Sequence, residues 1–588
     1  MMGLDRGKAG SSTALLFRYM LRRWDMLAAT LTLALAASYA ASLPPVFVRY
    51  AIDLGVTRGS LDAVVMYSLL SVGVTAASGL LNFVARYVSA RYSQEIVHRI
   101  RLEAFDAVLK QYMGFFDRLS VGQLISRITN DSERVANFLS MRVRMIAYSA
   151  MLLTFATYNM ASLDPRLATV ALVAMLVTVA VYARYSTVIR PLYDSIRQQL
   201  GVIASVATSD VVGIKTIKGL NIVDLELKRF EDENRKFVDL NVRAAKVRAT
   251  YESSTILIFG LASAAVLLYG GYAVGRGELT VGGLTMFLTY VATLSRPMTM
   301  LGSSITDIQR ALASGSRLFE LISSAGRVVD RPGARELVNV RGEIEFVGVS
   351  FTYPSGRRAL KNVNLRIRAG EKILVVGPPG SGKSTLLKLL LRFYDPDEGK
   401  VLVDGVDVRD VKLQSLRRWI GYVPQEPFIF SGTVFDNIAL GNPGATLEEV
   451  VRAAKIAKIH DFIASLPRGY ETVVGERGIN LSGGQRQRIA IARALVRDPK
   501  VLLLDDPVAN LDAETERSLV EDLKEVLKGR TAIIVTQRLS LVPLADRIVV
   551  LNDGEVVEEG THEELMSRRG LYYRLYTSMV GGGGEQAG

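Results

Sequence analysis

The chain has 588 residues, a net charge of +13 and 49% hydrophobic residues, which is too long for one core and implies two or more domains. It has no Cys and three His, so disulfides and thiolate chemistry are excluded and a His-based metal site is disfavoured. The apolar residues gather in the first half, so the excess of Lys and Arg reads as the cytoplasmic loops of a membrane protein and not as a nucleic-acid-binding surface.

Met1–Gly10 is polar and charged, and the first apolar run is too long for a signal-peptide core. Ser11–Trp24 sets Leu15, Leu16, Phe17 and Leu21 among Arg18, Arg22 and Arg23, the pattern of an amphipathic helix at a membrane interface. Apolar stretches long enough to cross a bilayer then recur at 26–52, 62–90, 139–162, 165–187, 250–274 and 279–305. The connections Thr57–Leu61, Ser162–Arg166 and Gly275–Leu279 are very short. The stretches 91–138 and 188–249 are long, helix-patterned and rich in Lys and Arg. The positive-inside rule therefore places them, with both termini, in the cytoplasm.

Pro44-Pro45 and Arg296-Pro297 are expected to break or kink their helices. Arg49, Arg142, Arg144, Glu252, Thr285 and Arg296 are candidate lining residues of a transport path, because intramembrane charges usually face a cavity. Gly326–Gly342, with Pro332 and Gly333, reads as a linker. Beyond it, short β-branched strands alternate with helices. The expected organisation is a cytoplasmic N-terminus with interfacial helix at 1–25 and a six-helix transmembrane domain at 26–324. A linker at 325–340, an α/β domain at 341–580 and a disordered Gly-rich tail at 581–588 follow. The fold class is thus a membrane all-α domain, its helices extended into the cytoplasm, followed by an α/β domain.

The strand run Ile373–Val376 leads into Gly377-Pro378-Pro379-Gly380-Ser381-Gly382-Lys383-Ser384 and then, through Thr385, into a helical stretch. This fits the phosphate loop GxxxxGK[ST]. Its glycines let backbone N–H groups wrap phosphates, Lys383 neutralises the terminal phosphates, and Ser384 can ligate Mg²⁺ at a helix N-terminus. A second apolar strand, Val501–Leu504, ends in Asp505, the position of a Mg²⁺-holding carboxylate in phosphate-loop ATPases. Between them lies Leu481-Ser482-Gly483-Gly484-Gln485-Arg486-Gln487-Arg488, which would pass as an ordinary helix cap if read alone.

In this order and company, the last string resembles the signature of the ATP-binding-cassette (ABC) family. The resemblance extends over nearly the whole chain. It implies that Tyr353 stacks on adenine and that Gln425, in Val423-Pro424-Gln425, is the lid glutamine and a further Mg²⁺ contact. Thr472-Val473-Val474-Gly475-Glu476-Arg477-Gly478 resembles the exporter-type string that precedes the signature. Phe115-Phe116-Asp117 with Gly122–Ile128 looks like the first intracellular coupling region, and Gly213–Lys218 with Glu226–Asn234 like the segment after the second. In such exporters two motors pair head to tail, and the Leu481–Gln485 signature of one chain grips the ATP held by the phosphate loop of the other. ATP and Mg²⁺ are the implied cofactors, and a multi-pass location in the inner or plasma membrane follows.

Three departures stand out. The family has Glu where this chain has Asp506, which retracts the carboxylate by roughly 1.5 Å; such a misplacement can lower an in-line attack about 100-fold. The family has His where this chain has Gln537, which can donate a hydrogen bond but carries no charge and relays no proton. Pro507-Val508-Ala509-Asn510 replaces the family's usual Ala-Thr-Ser-Ala before Leu511-Asp512. Asp506 and Gln537 thus mark a catalytic centre that binds ATP and cuts it slowly, as in the degenerate-site subunits of heterodimeric multidrug-type exporters. The expected partners are a second half-transporter with the missing Glu and His, the lipid bilayer, and a transported small molecule, lipid or peptide, but no nucleic acid. A homodimeric exporter or lipid flippase with slow ATPase is the first alternative, and an ATP-gated channel or regulatory subunit the second.

Overall fold

A computed structural model of the chain describes residues 19–323, 328–475, 481–509 and 511–581. Most of the expected interfacial helix (up to Arg18), the start of the linker, Glu476–Asn480, Asn510 and Gly582–Gly588 lie outside the described residues. The chain divides into two compact units: residues 1–109 with 122–324, and residues 110–121 with 325–588.

The first unit is helical. Its long helical stretches are Trp24–Val56, Leu61–Leu109, Val121–Leu163, Pro165–Val212, Val223–Gly275 and Val281–Ser323. The first five are long and apolar enough to cross a membrane by length and composition. The sixth is diluted by glycines, threonines, Arg296 and Pro297. It can carry them because Phe287, Tyr290, Val291 and Leu294 are buried among the other helices. Small residues such as Ala37, Ala85, Ala156, Ala171 and Ala262 fill the interior, where close helix packing replaces a hydrophobic driving force. Leu69, Leu80, Phe83, Leu176, Leu257 and Leu268 point outward, as a lipid-facing surface requires.

Local sequence explains the joints. Asp164 accepts from the N–H groups of Arg166 and Leu167, and Pro165 takes the first helical position, so one helix ends and the next begins within a single residue. Pro44 interrupts the first stretch as expected: Trp24–Ser42 ends, Pro44–Tyr50 resumes, and Val46 N–H turns to Leu43 O at 2.9 Å. The Ser42 carbonyl so released accepts from the buried Tyr290 hydroxyl, which in turn accepts from Asn159 Nδ2 at 3.0 Å. Pro297, by contrast, lies inside a helix that continues to Ser323.

The second unit contains two cores, one on each side of a six-stranded sheet. Its order is β12(Glu555–Gly560)-β11(Arg547–Asn552)-β3(Lys372–Val376)-β10(Thr531–Val535)-β9(Val501–Asp505)-β6(Ile420–Val423). β12 pairs antiparallel to β11, and the remaining pairs are parallel. Parallel strands buried on both faces read as continuous apolar runs, which is what Ile373–Val376 and Val501–Leu504 are. A four-stranded antiparallel sheet, β2(Arg358–Ile367)-β1(Ile344–Thr352)-β4(Glu398–Val403)-β5(Val406–Asp407), stands beside it. A two-stranded ribbon joins β7(Gly432–Thr433) to β8(Val473–Val474).

Candidate functional site

The carboxyl ends of three adjacent parallel strands, β3, β10 and β9, deliver three loops to one place, the position where open α/β sheets bind ligands. β3 opens into the phosphate loop. Gly377 has φ +151°, and a Cβ there would lie 2.0 Å from the Leu551 carbonyl of β11, so only glycine fits. Lys383 begins the helix Lys383–Leu390, and its ammonium donates to the carbonyls of Gly377 and Pro378 at 2.8 and 2.9 Å. Burial holds that ammonium below the usual lysine value, against the pull of Asp506 and Asp505. Arg357 Nη2 clasps Gly380 O at 2.9 Å from outside the loop. The Ser381 hydroxyl is buried without a partner. An orphan donor inside a glycine cradle beside a buried ammonium is what a polyphosphate would satisfy.

Ser384 Oγ donates to Asp505 Oδ1 at 2.8 Å, joining the start of the helix to the end of β9. Burial raises the Asp505 carboxyl above the ordinary range; Ser384 and Lys388 oppose the rise and the Asp506 charge adds to it. Two side-chain oxygens converging beneath the phosphate loop suit Mg²⁺, which takes few protein ligands and shares the rest with phosphates and water. Among the described residues no cluster of three His, Cys, Asp or Glu side chains offers a self-sufficient metal cage. Gln425 lies exposed just past β6, the strand paired with β9.

Asp506 follows Asp505 with φ +46°, a left-handed backbone that costs a non-glycine residue energy. Its N–H donates to Val535 O at 2.7 Å, and its Oδ1 accepts from Thr536 Oγ1 at 2.9 Å. The same Thr536 hydroxyl accepts from Arg538 N–H at 2.9 Å. Gln537, between them, is exposed. Sequence reasoning missed Thr536; its place beside Gln537 is the signal that could have found it.

Tyr353 stands at the rim. Its hydroxyl pairs with Thr385 Oγ1 at 3.1 Å, and the Lys388 ammonium lies 5.4 Å from its ring centre. Phe351 and Tyr394 support the ring edge-on at 5.0 and 5.4 Å. Tyr394 in turn donates to Asp117 Oδ2 at 2.7 Å, so the segment 110–121, with its short helix Met113–Phe116, rests on the aromatic cluster beneath Tyr353. The sequence marked Phe115-Phe116-Asp117 but gave no sign of which residue receives Asp117.

The signature residues occupy the start of the helix Gly483–Leu495. Ser482 caps it reciprocally with Gln485: Ser482 N–H donates to Oε1 at 2.8 Å and Gln485 N–H to Oγ at 3.3 Å. Among the described residues, no side-chain hydrogen bond links Leu481–Gln485 to the phosphate loop. The site therefore brings together Lys383, Ser384, Asp505 and Asp506, with Tyr353 and Thr385 at its edge, and leaves the signature apart.

The family described as the ABC transporter transmembrane region matches residues 26–298, and the family described as ABC transporter matches residues 360–509. The ATP-dependent lipid A-core flippase of Syntrophus aciditrophicus (strain SB) is 38% identical over 82% of this chain and 80% of its own length. A putative multidrug export ATP-binding/permease protein, YgaD of Bacillus subtilis (strain 168), is 35% identical over 84% and 86% respectively. A solved bacterial Atm1-family ABC exporter with ATP bound superposes with a TM-score of 0.81 at 31% identity, covering 95% of this chain and 99% of that one.

Proposed function

We propose that this chain, which belongs to the ABC transporter family and fuses an exporter-type membrane region to its ATPase, is one half of a heterodimeric exporter whose own ATP site binds ATP but hydrolyses it slowly. ATP hydrolysis by this family's ATPase drives transport, and the chain is a multi-pass membrane protein. What supports the finer reading is the geometry around Asp506. The short carboxylate is drawn to the Thr536 hydroxyl, and the next residue, where the family has His, is Gln537, an uncharged side chain. Neither feature disturbs Lys383, Ser384, Asp505 or Tyr353, so binding is retained while activation of the attacking water is weakened.

In this reading Tyr353 stacks on adenine, and the loop from Gly377 to Thr385 with Lys383 cradles the phosphates. Ser384, Asp505 and Gln425 would hold Mg²⁺, which would neutralise phosphate charge during transfer. The intact signature Leu481–Gln485 serves the ATP of a partner that carries the Glu and His missing here, in the manner of helix N-termini that grip phosphates. Both termini are cytoplasmic, the membrane is the inner or plasma membrane, and the cargo is a small or amphipathic molecule. The names of the flippase and multidrug relatives support that cargo class. The test is ATP turnover by the purified chain alone and together with a co-encoded half-transporter. Low turnover alone that the second chain restores supports the heterodimer; a lone dimer turning over at an ordinary enzyme rate, on the order of 10 per second, overturns it.

A further inference from the structure

The membrane segments are unusually one-sided in charge. From Met26 to Ile52, from Ala63 to Gln94 and from Val135 to Leu163 the sequence contains no Asp or Glu, yet Arg49, Arg86, Arg91, Arg142 and Arg144 lie within those runs. Most of these find a partner. Arg49 pairs with Asp53 at 3.4 Å, Arg91 with Glu95 at 3.6 Å and Arg142 with Asp307 at 3.0 Å. Arg144 does not. It is 7% exposed, its Nη1 donates to Asn82 Oδ1 at 2.9 Å, and its buried Nε has no acceptor. Among the described residues, the charged or titratable groups that act on it are Arg86, a second cation, and Tyr148.

A buried guanidinium facing another cation and a neutral amide is costly unless an anion completes it. Arg144 lies 19 residues before Leu163, and Asn82 lies 21 residues after Leu61, each about 30 Å along its helix at 1.5 Å per residue. That is the thickness of the hydrocarbon layer, so the pair sits at the membrane boundary opposite the short connections. Arg86, one turn beyond Asn82, is exposed and forms the open side.

We propose that Arg144 and Arg86 form a binding site for the anionic headgroup, a phosphate or carboxylate, of an amphipathic ligand. Asn82 holds one edge of the Arg144 guanidinium, Arg86 draws the anion in, and the free Nε supplies the second prong of a bidentate contact. The inference rests on the export reading for the ligand being cargo, but the site itself does not depend on it.

The test uses the full-length protein in phosphatidylcholine nanodiscs without nucleotide, so that ATP hydrolysis plays no part. Dodecyl phosphate, dodecyltrimethylammonium and inorganic phosphate are the probes. Dodecyl phosphate is expected to bind, with R86Q and R144Q each weakening it about tenfold, while the affinity for the cationic probe stays within about twofold. Arg86 is exposed, so R86Q keeps the test decisive if R144Q fails to fold. Unchanged dodecyl phosphate affinity in R86Q and in folded R144Q overturns the proposal, as does equal displacement by inorganic phosphate, which would make the tail irrelevant. Blockade by phosphatidylglycerol in the disc assigns the headgroup to a resident lipid of the same chemistry. Stimulation of ATP turnover by dodecyl phosphate is read separately: its absence counts against cargo export and not against the site.

Discussion

The Thr536 hydroxyl donates to Asp506 Oδ1 at 2.9 Å, so the loop after β10 grips the carboxylate after β9 at the place where water must be activated. A glutamate at 506 has one more methylene and can reach past Thr536 toward a γ-phosphate. Asp506→Glu is therefore expected to raise single-turnover hydrolysis by the lone chain about 10- to 100-fold. Its ATP affinity should stay within about threefold, because no phosphate-loop contact changes. Rapid-quench measurement with radiolabelled ATP checks this, and an unchanged rate would place the limitation elsewhere, Gln537 first.

Asp505 makes metal dependence a pH question. Burial lifts its carboxyl above the ordinary range, more than Ser384 and Lys388 pull it down. A raised value means that the metal-free site holds a proton at a higher pH than an exposed aspartate would, and Mg²⁺ has to displace it. Mg²⁺-dependent ATP binding should thus begin to weaken at a higher pH than an exposed aspartate would dictate, whereas binding in EDTA should change less. Titration with a fluorescent ATP analogue at several pH values, with and without EDTA, decides it; parallel pH profiles would remove Asp505 from the metal site.

Gly377 tests the cradle. A methyl group there would meet the Leu551 carbonyl at 2.0 Å, and the backbone φ of +151° already disfavours a side chain. Both atoms belong to paired core strands or their ends, so neither can retreat cheaply. Gly377→Ala should destabilise the ATPase unit by about 2 kcal/mol or more and abolish ATP protection in a thermal-unfolding assay.

The motor's chemistry was legible because its groups are clustered in sequence: the phosphate loop is one run, and Asp505 ends an apolar strand that could only be central. What was not legible depends on residues far apart. Tyr290 relieving the carbonyl freed at Ser42, Tyr394 receiving Asp117, and Arg144 left without an acid are pairings across 248, 277 and, for Asn82, 62 positions. No local pattern encodes them. The sixth helix was read from its length, although its composition is less apolar than that of its neighbours; burial inside the bundle, which spacing alone does not reveal, explains the difference.

In the first unit Asp131 is buried and takes a two-pronged contact from Arg317, Nε to Oδ2 at 2.7 Å and Nη2 to Oδ1 at 2.6 Å, with Ser314 Oγ at 2.9 Å. Burial pushes this carboxyl up, but the Arg317 and Ser314 hydrogen bonds outweigh it and hold it below the ordinary value. A group depressed in the folded state stabilises above its unfolded pKa, and that stability is lost as pH falls through the folded one. Asp131→Asn should therefore cost about 2 kcal/mol at neutral pH, less than a fully buried pair because Arg317 is 40% exposed. The gap to wild type should close only below the ordinary carboxylate range, which thermal unfolding in detergent across pH would reveal.

Tyr394 ties the segment 110–121 to the aromatic cluster through a hydrogen bond to Asp117. Its hydroxyl sits 2.7 Å from Asp117 Oδ2, and burial, then Asp117 itself, push its pKa up, so the phenol keeps its proton and remains the donor. Gly114 permits the approach on the other side: a Cβ there would stand 3.1 Å from Pro354, the residue after Tyr353. Tyr394→Phe removes a bond to a carboxylate acceptor worth about 1.5 kcal/mol while leaving the ring packed against Phe351 and Tyr353. Amide exchange across 110–121 should quicken about tenfold, that of β3 should not change, and ATP affinity should stay within about twofold. Asp117→Asn should act in the same direction but more weakly, since its amide oxygen still accepts. Unaltered exchange in Tyr394→Phe would mean that the segment's other contacts, and not this bond, keep it on the motor.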